Sequence, residues 1–261
     1  MSILITGVSG TLGSLLAESF LKQSKKVFGC SKKISVKLRD KLEGIDSKKK
    51  LFFYNSVDIR KESHVNDWYS FVKKKTKEIE IIINCAAVPG EVRSFIKTPN
   101  KIWKNVFDSN FFGTINTIKI FYPLLVKSKN KLIINILGGG VGWHNISERK
   151  SPYVTSKFAV AGLTECLSKE LKKEDVTILG IFPGPIDSKL RDKLLVKKEI
   201  LDSKQDLSGI SSLRLIESIL KIDFKKLSGK LLSSRFDKIK NLSNNNSLFT
   251  LRRIDNKNYH F

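Results

Sequence analysis

Tyr153 and Lys157 stand four residues apart in Tyr153-Val154-Thr155-Ser156-Lys157, where a helical apolar pattern begins. Four residues make about one helical turn, so the two side chains share a face. An ammonium beside a phenol favours the phenolate, and the pairing is expected to draw Tyr153 down from its usual pKa of ~10 toward the working range. That is the chemistry of a proton donor and acceptor. Alone, the spacing is commonplace; it gains weight only from what accompanies it.

The accompaniment begins at the amino terminus. A short apolar run ends in Thr6-Gly7-Val8-Ser9-Gly10-Thr11-Leu12-Gly13, and a helical pattern follows at once. Glycines let a backbone turn sharply and approach a pyrophosphate, which then rests on the free N–H groups and positive end of the next helix. Gly7, Ser9, Gly10, Thr11, Leu12 and Gly13 are therefore the candidate phosphate cradle, although a strand-to-helix turn built only for packing would use similar residues. NAD-selective sites place a carboxylate at the end of the second strand, whereas this chain has Cys30-Ser31-Lys32-Lys33 there. Lys32 or Lys33, with Ser9, suits a 2′-phosphate instead, which favours NADP (NADPH) over NAD.

These residues need a scaffold. Apolar runs at 3–6, 27–30, 51–54, 81–84, 132–136 and 176–181 read as strands covered on both faces, and longer amphipathic segments separate them. Helices are expected at 13–23, 61–76, 102–127 and 152–172, with a further helix at 213–220 and a last strand at 230–232. The fold class is α/β, a Rossmann-like doubly wound parallel sheet in a single domain. Its expected divisions are a cofactor-binding core at 1–186, a basic substrate lid at 187–210, and a C-terminal helix, last strand and polar tail, containing Asn244–Asn246, at 211–261.

With the scaffold in place, the motifs fall in an order that resembles the short-chain dehydrogenase/reductase family along nearly the whole chain. TGVSGTLG resembles its glycine signature, with spacing nearer to the extended members. Asp58-Ile59 resembles the adenine-contacting acid and its neighbour, and Asn84-Cys85-Ala86-Ala87 is similar to the NNAG motif. Asn110 falls in a long helix where the family keeps an Asn. Pro183-Gly184-Pro185-Ile186-Asp187-Ser188 resembles the PG motif with its following hydroxyl, and Leu227-Ser228-Gly229-Lys230 the turn into the last strand. The resemblance implies hydride transfer between a nicotinamide and a carbonyl or alcohol; the basic lid adds a phosphorylated or nucleotide-linked sugar as one substrate class. It implies Tyr153 as acid/base, Lys157 holding the nicotinamide ribose and tuning Tyr153, and Asn110 placing a relay water. Asp58, Ile59, Asn84, Ala86, Ala87, Pro183, Gly184, Ile186 and Ser188 would line the cofactor. Each has a structural alternative: Asn84 closing a strand end, Asn110 bonding a helix carbonyl, Pro183-Gly184 making a turn.

One element of the pattern is missing. The family's Ser after the fifth strand, which polarises the substrate carbonyl, is replaced here by Gly138 in Leu137-Gly138-Gly139-Gly140. Loss of one oxyanion donor typically costs ~10²- to 10³-fold in rate. Ser147 or Ser151, His144 or Asn145, or the N–H groups of the glycine run are the candidate replacements, the last preferred. The alternative function is a cofactor-binding sensor or partner subunit with weak or no catalysis.

The chain carries 48 Lys and Arg against 25 Asp and Glu, a formal charge of +23. The excess is spread evenly, with no aromatic-interleaved basic motif, so specific nucleic-acid binding is not expected. Within the lid, Lys189, Arg191, Lys193, Lys197 and Lys198 would favour an anionic substrate, and Trp143 and His144 could flank the same pocket. Cys30, Cys85 and Cys166 have neither disulfide nor metal-ligand spacing, which fits a reducing cytoplasm and no metal. No signal peptide or membrane span is expected: the run near 81–88 is broken by Asn84 and is too short. The resemblance also implies a homodimer or homotetramer packed through the helices at 102–127 and 152–172.

Overall fold

A strand buried on both faces must be apolar at nearly every position, and the alternation of its side chains then feeds two separate cores. A computed structural model describes residues 1–46, 50–138, 140–141, 146, 148–194, 207–237 and 250–251, and it has this construction. The elements run β1 (Ser2–Thr6), α1 (Thr11–Lys22), β2 (Lys26–Ser31), α2 (Val36–Ile45), β3 (Phe52–Ser56), α3 (Glu62–Lys73), β4 (Ile81–Asn84), α4 (Asn100–Phe107) and α5 (Gly113–Leu125). They continue with β5 (Leu132–Ile136), α6 (Ser151–Glu170), β6 (Thr177–Phe182), α7 (Lys189–Leu194), α8 (Ile210–Ile219) and β7 (Leu231–Ser233). The seven strands form one parallel sheet in the order β3-β2-β1-β4-β5-β6-β7.

Ile3, Ile5, Ile81, Ile83, Leu132 and Ile134 point to the face covered by α1, α2 and α8, where Leu16, Phe20, Leu42 and Ile216 meet them. Leu4, Phe28, Ile82 and Ile133 point the other way, onto Trp68 of α3 and Phe121 of α5. Each such side chain contributes roughly 1.5–3 kcal/mol on burial. Because β1 and β4 are central neighbours and their connections leave in opposite directions, a crevice opens at the carboxyl edge between them.

Three expectations are corrected. The helix expected over 102–127 is two helices joined by a π turn at Asp108–Phe112. Helix α2 was not expected; only Leu42 of it is buried, too weak a stripe to read, and Ser35 caps it by accepting from the Leu38 N–H at 3.3 Å. The basic segment after Ile186 holds α7 where no helix was foreseen. The polar tail at Asn244–Asn246 lies outside the described residues.

Candidate active site

β1 delivers the chain to the crevice, and the glycine turn is packed too tightly for anything larger. A Cβ on Gly7, whose φ is +72°, would fall 2.7 Å from Ala86 Cα, and one on Gly13 would fall 2.3 Å from the Gly7 carbonyl oxygen. The Gly10 N–H donates to that carbonyl at 2.9 Å. α1 then starts with no side-chain cap on Gly10 and no acidic residue in its first turn. Its leading N–H groups and positive dipole end remain available to an anion. This turn forms one end of a cavity of about 1230 Å³, and Tyr153 and Lys157 line the other. Such a volume exceeds that of an ordinary small-molecule pocket, so a dinucleotide and a second reactant fit together.

At the end of β2, Lys32 and Lys33 line the cavity. Asp58 lies nearby, with Arg60 donating from Nε to Oδ1 at 2.9 Å and from Nη2 to Oδ2 at 2.5 Å, and Lys32 Nζ at 3.6 Å from Oδ2. Burial pushes this carboxyl up, but the Arg60 hydrogen bonds and the charges of Lys32 and Arg60 outweigh it and hold the pKa at about 2. One carboxylate thus sits between two cations, and the corner stays positive.

At the other end, helix α6 presents Tyr153 and Lys157 one turn apart, both buried. Lys157 Nζ donates to the Ile136 carbonyl at 2.8 Å and lies 6.0 Å from the centre of the Tyr153 ring. Burial brings Lys157 down to about 8 and pushes the Tyr153 phenol up, with Cys85 adding to the rise. The expected lowering of Tyr153 is therefore corrected: desolvation dominates at the phenol, and the Lys157 ammonium, itself disfavoured by burial, does not offset it. Gly138 adjoins the phenol. A Cβ there would stand 2.9 Å from Tyr153 Oη, and its φ of +151° is one that side-chain-bearing residues avoid.

Hydrogen bonds beneath the wall fix this geometry. Asn110, in the π turn, accepts from the Val88 N–H at 2.8 Å and donates to the Val88 carbonyl and Ser156 Oγ at 3.0 Å each. Ser156 Oγ in turn donates to the Tyr153 carbonyl at 2.7 Å. Asn84 Nδ2 donates to Asn135 Oδ1 and Asn135 Nδ2 to Thr164 Oγ1, both at 2.9 Å, tying β4, β5 and α6 together. Thr6 Oγ1 receives the Cys85 and Ala86 N–H groups at 3.1 and 3.2 Å.

Comparison with known proteins agrees with this geometry. A sequence model of short chain dehydrogenases matches residues 1–199. The chain belongs to the short-chain dehydrogenase family. Its relatives include an NADPH-dependent pterin aldehyde reductase of Arabidopsis thaliana, 28% identical over 200 residues that span 72% of this chain and 76% of that one. Another is a 3-ketodihydrosphingosine reductase of Bacteroides thetaiotaomicron, 27% identical over 219 residues, 82% of this chain and 75% of that one. An NADPH-bound carbonyl reductase from chicken fatty liver superposes with a TM-score of 0.76 at 19% identity, covering 89% of this chain and 96% of that one, a likeness of fold.

Within this short-chain dehydrogenase scaffold, most residues singled out from the sequence meet in one place. Gly7, Ser9, Gly10, Thr11, Leu12, Lys32, Ile59, Ala86, Ala87, Tyr153, Lys157, Pro183, Gly184, Ile186 and Ser188 line the cavity, as do Lys33 and Gly138. Gly13, Asp58, Asn84 and Asn110 stand behind that lining. Both N–H donors of the Asn110 amide are taken, so it acts on Val88 and Tyr153 by position, and the side chain cannot also donate to a relay water. Ser151 opens onto a separate shallow groove and not onto this cavity. Trp143, His144, Asn145, Ser147, Lys197 and Lys198 lie outside the described residues. Ser156, Asn135, Lys150 and Arg235 were not anticipated; only Ser156 had a signal, its place inside the Tyr153 pentad. Among the described residues no group of three His, Cys, Asp or Glu could hold a metal, and no helix is long and apolar enough to cross a membrane.

Proposed function

We propose that this oxidoreductase interconverts a carbonyl compound and its alcohol, with NADPH preferred over NADH. The observation that carries the reading is a single cavity with an uncapped helix N-terminus at one end and a buried Tyr–Lys pair at the other. The relatives whose names or bound molecules include NADPH support the preference.

The turn at 7–13 and the start of α1 would hold the pyrophosphate, with Ser9, Thr11 and Leu12 beside it. Lys32 and Lys33 would take the 2′-phosphate, and Asp58 and Ile59 would border the adenine. Ala86, Ala87, Pro183, Gly184, Ile186 and Ser188 would line the nicotinamide half, Asn84 bracing the end of β4. When bound, the dihydronicotinamide supplies the hydride that the carbonyl carbon takes up. Tyr153 gives its Oη proton to the carbonyl oxygen as charge develops there, and burial, which keeps the phenol protonated, suits it to that task. Lys157 stabilises the phenolate left behind and returns a proton from solvent. Asn110 keeps Val88 and the Tyr153 backbone in register. Gly138 admits the substrate oxygen beside Tyr153 Oη, and the N–H groups of Gly138 and Gly140 replace the absent hydroxyl.

The long helices would pair two or four copies, and three thiols without partners suit a reducing cytoplasm. Tyr153→Phe should lower NADPH-dependent turnover of an accepted carbonyl by about 10²- to 10⁴-fold. Fluorescence titration should show NADPH binding unchanged in that variant and tighter than NADH binding in the native protein. The second reading, a cofactor-binding protein without catalysis, is favoured by the missing hydroxyl at Gly138. It is adopted if NADPH binds and no member of a broad carbonyl panel is turned over.

A further inference from the structure

A hydroxyl buried in a helix ordinarily donates to a carbonyl about one turn back, and the helices around the cavity follow that habit. Thr114 Oγ1 donates to the Asn110 carbonyl at 2.9 Å, Thr117 Oγ1 to the Gly113 carbonyl at 2.8 Å, and Ser156 Oγ to the Tyr153 carbonyl at 2.7 Å. Ser109, in the π turn, is buried like them and lines the cavity, yet its Oγ has no hydrogen-bond partner among the described residues. The described polar side-chain atoms that are both unpaired and sealed from solvent are Asn55 Oδ1, Trp68 Nε1 and Asn84 Oδ1. Ser109 Oγ is not one of these, so it is open to the cavity. A hydroxyl in so buried a place is costly until a ligand or a water pairs with it.

The contacts on either side of Ser109 say which part of the cavity it faces. One turn earlier, Asn105 Oδ1 accepts from Arg60 Nη1 at 2.6 Å. One turn later, a Cβ on Gly113 would fall 2.6 Å from Ile59 Cδ1, and beyond it Asn116 Nδ2 donates to the Ile59 carbonyl at 3.0 Å. Asn110, next in the chain, is bonded to both backbone groups of Val88. Ser109 therefore stands between Ile59 and Val88, on a stretch of wall where its lining neighbours Val57, Ile59, Ala87 and Val88 are all apolar. An apolar slot with one free hydroxyl suits a flat heteroaromatic ring whose edge carries nitrogen donors and acceptors. Asp58, the acid that the resemblance assigns to adenine, is poorly placed for that contact. It does not line the cavity; its Oδ1 accepts from the Arg60 N–H and Nε, and its Oδ2 is held by Arg60 Nη2 and Lys32.

We infer that Ser109 Oγ, in place of the Asp58 carboxylate, hydrogen-bonds the edge of the cofactor's adenine. The inference rests on the reading of this cavity as an NADPH site. It divides the labour at that end: Asp58 holds Lys32 and Arg60 in place, and the π turn reads the base. A hydroxyl serves either edge atom, accepting from the exocyclic amine or donating to a ring nitrogen.

The test is calorimetric titration of the native protein and of Ser109→Ala with NADPH and with adenosine 2′,5′-bisphosphate, which lacks the nicotinamide half. One neutral hydrogen bond is worth about 3- to 10-fold in affinity. Both ligands should bind Ser109→Ala more weakly by such a factor, and by the same factor. In turnover of an accepted carbonyl, the KM for NADPH should rise correspondingly while kcat at saturation stays unchanged. A merely structural role would be felt elsewhere, because the chain from Asn110 through Ser156 to the Tyr153 backbone would carry the disturbance to the reacting end and lower kcat. Native affinity of Ser109→Ala for both ligands, a loss for NADPH that the bisphosphate does not share, or a fall in kcat as large as the loss of affinity overturns the assignment of Ser109 and leaves the NADPH site standing. Failure of the native protein to bind either ligand defeats the NADPH reading, and the role of Ser109 with it.

Discussion

The contact between Gly138 and Tyr153 bears on the hydroxyl that the sequence leads one to expect at position 138. With a Cβ at position 138 placed 2.9 Å from Tyr153 Oη and a φ of +151°, restoring a serine would push the phenol aside before it could help. Forcing a side chain into such backbone costs about 1–3 kcal/mol. Gly138→Ser should therefore lower kcat/KM by about tenfold or more, whereas a rise would mean that the phenol has room to move and that the hydroxyl was the lost component. Lys157 yields a second outcome. Its pKa of about 8 in the folded protein lies below the ordinary 10.5, because burial disfavours the ammonium. Between those values the unfolded chain keeps a proton that the folded chain has released, so stability rises with pH through that window. The buried thiols of Cys30 and Cys85, pushed up by desolvation, act in the opposite direction over the same range, so the test is the difference between proteins: urea unfolding at pH 7.5 and 9.5 should show the cofactor-free native protein gaining stability with pH relative to Lys157→Met, and identical pH responses would place Lys157 in contact with water.

Elements hold these residues through buried amides. Asn135 accepts from Asn84 and donates to Thr164, so Asn135→Ala leaves the Asn84 Nδ2 group unpaired in the interior, where an orphaned polar group costs roughly 1–3 kcal/mol. Thermal unfolding should fall by several degrees and turnover should fall with it; loss of neither would show that β4, β5 and α6 keep their register without this chain. The difference between Asn135 and Tyr153 also explains what could be read in the sequence. The strands were legible because burial on both faces forces continuous apolar runs, and the glycine turn because two of its glycines face backbone at distances no side chain tolerates. Tyr153 and Lys157 were legible through helical spacing. Asn135, Lys150 and Arg235 were not, because their positions depend on which strands become neighbours and on a turn beyond β7, and no local pattern encodes that. The π turn at Asp108–Phe112 escaped for a similar reason, since one extra residue in a turn barely disturbs an apolar stripe.

At the scale of the whole molecule, two features oppose each other. A formal charge of +23 makes copies of the chain repel, while a run of aromatic contacts leads from Phe95, ahead of α4, through Trp103 and Phe107 of α4 to Phe111 and Phe112 of the π turn. Phe95 is 63% exposed, Ile96 88% and Phe112 50%, large apolar areas for one stretch of surface. If the pairing proposed through the long helices draws this face into the contact, apolar burial must overcome like-charge repulsion, and only the repulsion is screened by salt. Dimerisation, measured by sedimentation velocity, should therefore tighten as sodium chloride is raised from low to moderate concentration, the reverse of an interface built on ion pairs. Full burial of one aromatic side chain is worth about 1.5–3 kcal/mol, so Phe112→Ser, which gives up roughly half of that, should weaken the dimer by about tenfold at every salt concentration. A monomer throughout the titration, or a dimer indifferent to Phe112→Ser, would assign the exposed aromatic run to something other than self-association.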